Sequence, residues 1–457
     1  MTISTGHANM FRVAGACFDV YQADFAKCLL LSRQNKENRM YCMKIYIATL
    51  LLLLSASWAS ASTLVRPLPQ VPDSIAVPDT ADAEVVEPFP EDHRPLRERL
   101  QSLLENDIFD RTQVGLYVYD LTADSLILAY HERQCMRPAS NEKLVTAITA
   151  LSTLGTDYKY ETRLLADAVP TDSVFSGRLY VRGGYDPLLD RDDLRAMADS
   201  LLSLGVRRLS GAVWLDRSMK DGKQWGWGWC WDDKEVPLDP LLCHNRADFA
   251  ERLRQVFTEK GIAWDGTVQD GTAPQGLTTL CVRRHTLDAV LLPMMKQSDN
   301  SMAESVFYQL AAHGGQRHAG RKQAVRHIER LVRELGLEPD HYQFADGSGL
   351  SLYNYLTPQL LGRLLRYAYA DEAIYRHLLP TLPVAGEDGT LRKRMRGTEA
   401  AGNVQAKTGT VEGVSTLSGY CTAANGNRLC FSIMNQGIRH TSTGRHFQDR
   451  LCRELCR

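Results

Sequence analysis

The amino-acid sequence predicts an α+β fold in which one domain is interrupted by a large, mostly β insertion. Three observations carry that expectation. Two strand-like runs and an amphipathic helix occupy residues 113–154. The texture then changes to short strands and turns as far as residue 285. Beyond that point long helical patterns return, and three strands close the chain before a last helix. The boundaries that follow are 96–155 and 286–457 for the interrupted domain and 156–285 for the insertion. A chain of 457 residues is long enough for such an arrangement, since domains usually run to one or two hundred residues.

The elements can be justified in order. Leu96, Leu100, Leu103 and Leu104 fall on one helical stripe. Gln113 to Tyr119 and Ser125 to Tyr130 read as strands, joined by the polar turn that begins at Asp120 and ends at Asp124. The next helix opens near Pro138-Ala139-Ser140 and buries Leu144, Val145, Ile148 and Leu151. It stops at Gly155, the residue type that most readily takes the left-handed conformation ending a helix. One clear helix, Asp192 to Leu204, lies in the insertion. Helices then cover Leu287 to Ala312, Arg321 to Leu335 and Thr357 to Tyr369. Strands follow at Val404 to Thr410, Ser415 to Cys421 and Leu429 to Asn435, with a last helix from His446 to Leu455. No internal repeat is evident.

The N-terminal residues point to export. Lys44 precedes the apolar run Ile45 to Leu54, and Ala59-Ser60-Ala61 fits a cleavage site, so residues 40–61 read as a secretory signal peptide. The run is too short for a stable membrane anchor, and Cys42 lies ahead of it instead of at the cleavage site. Residues 1–39 are explained by a start codon placed too early, and 62–95, rich in Pro, Asp, Glu and Ala, by a disordered spacer. The mature chain is expected to be secreted or periplasmic, where disulfides persist. Of eleven cysteines, Cys17, Cys28 and Cys42 fall outside it. Any even-length hairpin loop centred on Asn425-Gly426 sets Cys421 opposite Cys430, which permits a disulfide; two buried free thiols fit as well. Cys452-x-x-x-Cys456 has no histidine partners, so no metal site is expected. With 53 basic against 54 acidic residues, nothing points to nucleic acid or an anionic membrane surface.

Three short motifs carry chemistry: Ser140-Asn141-Glu142-Lys143, Ser298-Asp299-Asn300 and Lys407-Thr408-Gly409. At a helix start, residues three apart share a face, so the Lys143 amine can reach the Ser140 hydroxyl. A desolvated lysine beside another cation loses its proton near neutral pH and can serve as a base. An N-cap serine with a solvated lysine would look the same in isolation. Ser298-Asp299-Asn300 stands at a helical turn, and Lys407-Thr408-Gly409 in a strand whose glycine leaves the backbone open to a ligand. The bland readings are a helix cap and an exposed edge strand guarded by lysine. All three in this order are hard to attribute to coincidence.

The set is similar to the motifs of penicillin-binding proteins and class A β-lactamases. The long interval from Ser140 to Ser298 is unlike the compact β-lactamases. It resembles the D-alanyl-D-alanine carboxypeptidase/endopeptidase family of low-molecular-mass penicillin-binding proteins, peptidase S13, over about Leu96 to Gly437. Asp346-Gly-Ser-Gly-Leu350-Ser, Leu382-Pro-Val-Ala-Gly386, Gly389-Thr-Leu-Arg392 and Gly183-Gly-Tyr-Asp186-Pro resemble its signature loops. The resemblance implies a penicillin-binding, serine β-lactamase-like transpeptidase domain that needs no metal or organic cofactor. Its partners would be peptidoglycan stem peptides and β-lactams.

By the same resemblance, Ser140 attacks the penultimate D-Ala carbonyl, Lys143 takes its proton and Ser298 relays a proton to the leaving group. Asn300 holds the peptide amide, and Lys407 and Thr408 bind the terminal carboxylate beside Gly409. The N–H groups of Ser140 and Thr410 form the oxyanion hole. Asp233, in Trp229-Cys-Trp231-Asp232-Asp233, matches an acidic residue that reaches the amine of the stem-peptide diamino acid; a solvated aspartate beside buried tryptophans fits equally. Leu352 and Glu412 depart from an Arg and a Gln of the best-studied branch, which implies an altered preference at that diamino acid. The alternatives are a β-lactamase, for which no extra placed base is evident, and a non-catalytic cell-wall-binding protein.

Overall fold

A computed structural model describes residues 94–233 and 235–457. The expected extension at 1–39 and signal peptide at 40–61 lie outside the described residues, as does the spacer at 62–95 apart from its last two residues.

The described residues open with helices α1 (Leu96–Ser102) and α2 (Ile108–Arg111) and strands β1 (Gln113–Asp120) and β2 (Ser125–Tyr130). A short 3-10 turn (Ala139–Asn141) then runs directly into α3 (Glu142–Leu154). The insertion carries β3 (Lys159–Ala166), β4 (Val174–Phe175), β5 (Leu179–Arg182), α4 (Arg191–Ser203), β6 (Arg208–Leu209) and β7 (Val213–Asp216). It continues with α5 (Phe249–Glu259), β8 (Ala263–Trp264), β9 (Val268–Asp270) and β10 (Thr278–Thr286). After it come α6 (Leu287–Lys296), α7 (Asn300–Ala312), α8 (Arg321–Glu334), α9 (Pro358–Ala370) and α10 (Glu372–Leu378). Strands β11 (Gln405–Val411), β12 (Val414–Thr422) and β13 (Arg428–Gln436) and helix α11 (Thr441–Cys456) complete the fold.

The main sheet is antiparallel, in the order β11-β12-β13-β1-β2. It is buried on both faces, as the residues of β12 require, because Val414 to Cys421 are all buried. Successive side chains of a strand point to opposite faces. Leu417, Cys421, Leu429 and Phe431 join one apolar cluster with Leu100, Phe447 and Leu451 of α1 and α11. Tyr420, Cys430 and Met434 join another with residues of α3 and α6 to α10. On this second side α9 lies so close that a Cβ on Gly362 would sit 2.1 Å from the Tyr117 ring. The first and last helices are clamped together: buried Arg99 donates to the Glu454 carboxylate at 3.0 Å and to the Glu454 carbonyl at 2.9 Å.

The β12–β13 register corrects the expected pairing of Cys421 with Cys430. Cys421 lies opposite Leu429, and Cys430 opposite Tyr420. The loop has an odd number of residues: Ala423 N–H donates to Asn427 O at 2.9 Å, with Gly426 at φ +86°. Such loops place glycine in the left-handed position and shift the register by one. The two thiols therefore point into different cores, and every cysteine among the described residues is free.

The insertion enters through β3 and leaves through β10, and these two strands pair antiparallel from Lys159/Thr286 onward. Strand β5 joins this sheet antiparallel to β3, β7 and β9 continue from it in parallel, and β4, β6 and β8 form a second, parallel sheet. Parallel neighbours need crossover connections, and two of these contain α4 and α5. Only α4 was expected, although Phe249, Leu253, Val256 and Phe257 form a helical stripe. The Gly183-Gly-Tyr-Asp186 loop joins the insertion to α7: Ser305 Oγ donates to Tyr185 O at 2.6 Å and Gln309 Nε2 to Gly184 O at 2.7 Å. A Cβ on Gly184 would lie 2.1 Å from Glu161 O, which accounts for the glycine.

Candidate active site

Ser140 sits in the 3-10 turn that starts α3, behind Ala139 at φ +46°. That left-handed conformation is unfavourable for alanine, and four contacts hold it. Asn141 Nδ2 donates to Lys407 O at 3.1 Å and to Thr416 Oγ1 at 2.8 Å. The Thr416 hydroxyl donates to Pro138 O at 2.8 Å. Gly349, at φ +80°, packs against Ala139 so closely that a Cβ would fall 1.9 Å from its carbonyl oxygen.

Lys143, one turn along α3, is fully buried. Its Nζ lies 3.0 Å from Ser140 Oγ, 2.7 Å from Asn300 Oδ1 and 2.8 Å from Ser348 O. Burial pushes its pKa down to about 8, although the carboxylates of Asp346, Glu304, Asp299 and Glu235 oppose the shift. Only the neutral amine can take the serine proton, and its share grows with pH. Acylation of Ser140 should therefore rise about tenfold per pH unit below a pKa of about 8 and level off above it. The check is the rate constant of acylation by a β-lactam measured on both sides of that pKa; a flat profile would contradict the assignment.

Ser298 and Asn300 occupy a break in what the periodicity presents as one helix. Ser298 adopts φ +63° between α6 and α7, and Asp299 caps α7 by accepting from Met302 N–H at 3.0 Å. The break turns the Ser298 hydroxyl to Lys407, whose fully buried Nζ donates to it at 2.8 Å and to Thr408 O at 2.7 Å. Burial, with Lys143 as the next contribution, lowers the Lys407 pKa well below its ordinary value. β11 is the sheet edge beside Ser140. A Cβ on Gly409 would lie 3.0 Å from Ser140 N and 2.7 Å from Pro138 O. Thr410 is exposed on this edge, and Thr408 Oγ1 donates to Thr390 Oγ1 at 2.7 Å. The structure thus brings Ser140, Lys143, Ser298, Asn300, Lys407, Thr408, Gly409 and Thr410 to one place. Asp233 is turned elsewhere: its carboxylate accepts from Cys230 N–H at 2.6 Å.

The profile of the D-Ala-D-Ala carboxypeptidase 3 (S13) family matches residues 96–240 and 242–455. The chain belongs to that family. It is similar to D-alanyl-D-alanine carboxypeptidase DacB of Haemophilus influenzae, 26% identical over 73% of this chain and 86% of that one. It is also similar to the D-alanyl-D-alanine carboxypeptidase of Actinomadura sp. (strain R39), 27% identical over 75% of this chain and 81% of the other. The crystal structure of penicillin binding protein 4 (dacB) from H. influenzae superposes with a TM-score of 0.71 at 23% identity, covering 79% of this chain and 99% of that one. That likeness shows a shared fold.

Several residues of this S13 site escape a reading of motifs alone. Glu142, Glu304 and Asp346 are buried around Lys143. Burial raises the Glu142 pKa well above the usual carboxylate range, and burial followed by the charge of Asp346 pushes Glu304 up to about 8. Glu304 Oε1 accepts from Gly347 N–H at 3.1 Å and Ser348 N–H at 2.9 Å. Asp346 Oδ2 accepts from the Trp229 indole at 2.8 Å and from Ser351 N–H at 2.7 Å. Together they fix the loop whose Ser348 carbonyl binds Lys143. Glu235, on the loop that also holds Asp233, accepts from Asn300 Nδ2 at 2.6 Å. Trp225, Trp227 and Trp231 on that loop are exposed.

Proposed function

We propose that this chain is a penicillin-sensitive serine D-Ala-D-Ala carboxypeptidase that cuts D-alanyl bonds of peptidoglycan stem peptides through an acyl-enzyme on Ser140. The observation that carries the reading is the buried Lys143 amine 3.0 Å from Ser140 Oγ. The S13 relatives named as D-alanyl-D-alanine carboxypeptidases support it. So does the H. influenzae penicillin binding protein 4, whose structure has been determined with a bound β-lactam.

In this reading Ser140 Oγ bonds to the penultimate D-Ala carbonyl carbon as its proton passes to Lys143. The N–H groups of Ser140 and Thr410 receive the carbonyl oxygen as it becomes negative; losing one such donor typically costs about 10²–10³-fold in rate. The C–N bond then breaks, and Ser298 relays to the departing amine the proton that Lys143 holds, with Lys407 behind it at 2.8 Å. Asn300 holds the peptide amide, and Lys407 and Thr408 donate to the terminal carboxylate. Water then attacks the ester carbonyl, giving a proton to Lys143 that passes to Ser140 Oγ as the acyl–oxygen bond breaks. Asp233 is proposed to face the diamino acid only if its turn opens. Export through residues 40–61, with action in the periplasm, belongs to the same proposal, as do catalytic segments at 96–155 and 286–457 around an insertion at 156–285.

The test is the intact mass of the mature chain, residues 62–457, after brief exposure to penicillin G. The expected result is one stable adduct on wild type and none on Ser140→Ala. Consumption of penicillin without an adduct would make the chain a β-lactamase; neither adduct nor consumption would leave a cell-wall-binding protein.

A further inference from the structure

Glu235 reaches the site from the insertion, where its carboxylate accepts a hydrogen bond from Asn300. The Asn300 amide is held at both ends, with Oδ1 against Lys143 Nζ at 2.7 Å and Nδ2 against Glu235 Oε1 at 2.6 Å. An amide can flip end for end, and its orientation follows from its partners. Flipping Asn300 would set its oxygen against the Glu235 carboxylate and its NH₂ against the Lys143 amine.

The flip matters for the base. A neutral lysine amine has two N–H donors and one lone pair. Of its three neighbours, Ser348 O and Asn300 Oδ1 can only accept hydrogen bonds, whereas Ser140 can donate. The two N–H groups must therefore go to the two acceptors, which leaves the lone pair for the Ser140 proton. A flipped Asn300 would offer an N–H to that lone pair and compete with Ser140. We infer that Glu235 is a positioning residue that locks the Asn300 amide and so keeps the Lys143 lone pair aimed at Ser140.

This inference rests on Lys143 acting as the base in the proposed reaction. Glu235 needs an accepting oxygen for the task, and its negative charge is incidental. Glutamine retains such an oxygen at the same reach, whereas alanine does not. The experiment measures acylation by penicillin G as a function of its concentration, which separates the acylation rate constant from the dissociation constant of the encounter complex. Glu235→Ala should lower the rate constant about tenfold, part of the roughly 10²–10⁴ that a positioned base contributes. The dissociation constant should stay unchanged, and Glu235→Gln should return the rate constant to within about threefold of wild type.

Three results would overturn the lock. One is a wild-type rate constant for Glu235→Ala. A second is an effect confined to the dissociation constant, which would make Glu235 a contact to the ligand. The third is a glutamine variant as slow as alanine, which would make the charge the operative feature. Melting temperatures of both variants separate misfolding from a lost lock. If wild type itself forms no adduct, the proposed function fails before any variant is compared.

Discussion

Replacing Lys143 by methionine should slow acylation of Ser140 by about 10²–10⁴-fold, the usual contribution of a positioned general base. Methionine keeps an unbranched side chain of similar length but has no amine to take the Ser140 proton. Lys143 is fully buried, so the change also removes the cost of keeping an amine out of water. Against that gain, Ser348 O and Asn300 Oδ1 each lose a donor. Buried acceptors left without partners cost about 1–3 kcal/mol apiece, so a modest net loss of stability is expected. The time course of the penicillin G adduct gives the rate, and a thermal melt shows that the variant is folded. A folded variant acylating within tenfold of wild type would remove Lys143 from the role of base.

The second large effect is expected from Gly409→Ala. The added methyl would meet Thr416 Oγ1 at 2.2 Å, Pro138 O at 2.7 Å and Ser140 N at 3.0 Å. None of these can give way cheaply. The Thr416 hydroxyl is tied to both Pro138 O and Asn141, and the other two atoms are backbone on either side of Ala139. The edge strand must instead move away from Ser140 and take the Thr410 N–H with it. A displaced oxyanion donor predicts about 10²–10³-fold slower acylation. Overpacking should also destabilise the fold by about 1–3 kcal/mol. Acylation at the wild-type rate, with a lowered melting temperature, would show that β11 is structural and plays no part in the reaction.

Much of this was legible in the residues alone. Turn and strand signals around Asp120, the Gly155 helix stop and the three closing strands depend on nearby sequence, and they matched to within a residue or two. The register of β12 and β13 did not, because a single residue in the Asn425-Gly426 turn decides which face each cysteine takes. The break at Ser298 was hidden by apolar periodicity that continues through both helices; only Asp299, a good N-cap, marked it. Around the site, the three motifs were visible because each is contiguous. Glu304 and Asp346 were not picked out as neighbours of Lys143, because only the packing of α7 and its following loop against α3 brings them there. Glu235 lies just past the Trp229–Asp233 stretch, whose resemblance to the family pointed to Asp233 instead.

The main sheet has a consequence for how the molecule is made. Its β1 strand pairs with β13, Gln113 against Gln436, so the middle of the sheet joins the two ends of the described chain. Ser140 follows the early strands, while Lys407 and Gly409 lie on the late ones. Contacts between segments so far apart in sequence form slowly, because the intervening loop must be closed first. The insertion, whose entering and leaving strands pair with each other, can collapse beforehand. A nascent chain emerging from its N-terminus therefore has no assembled site until the last strands are released, and it stays inert toward its substrate throughout synthesis.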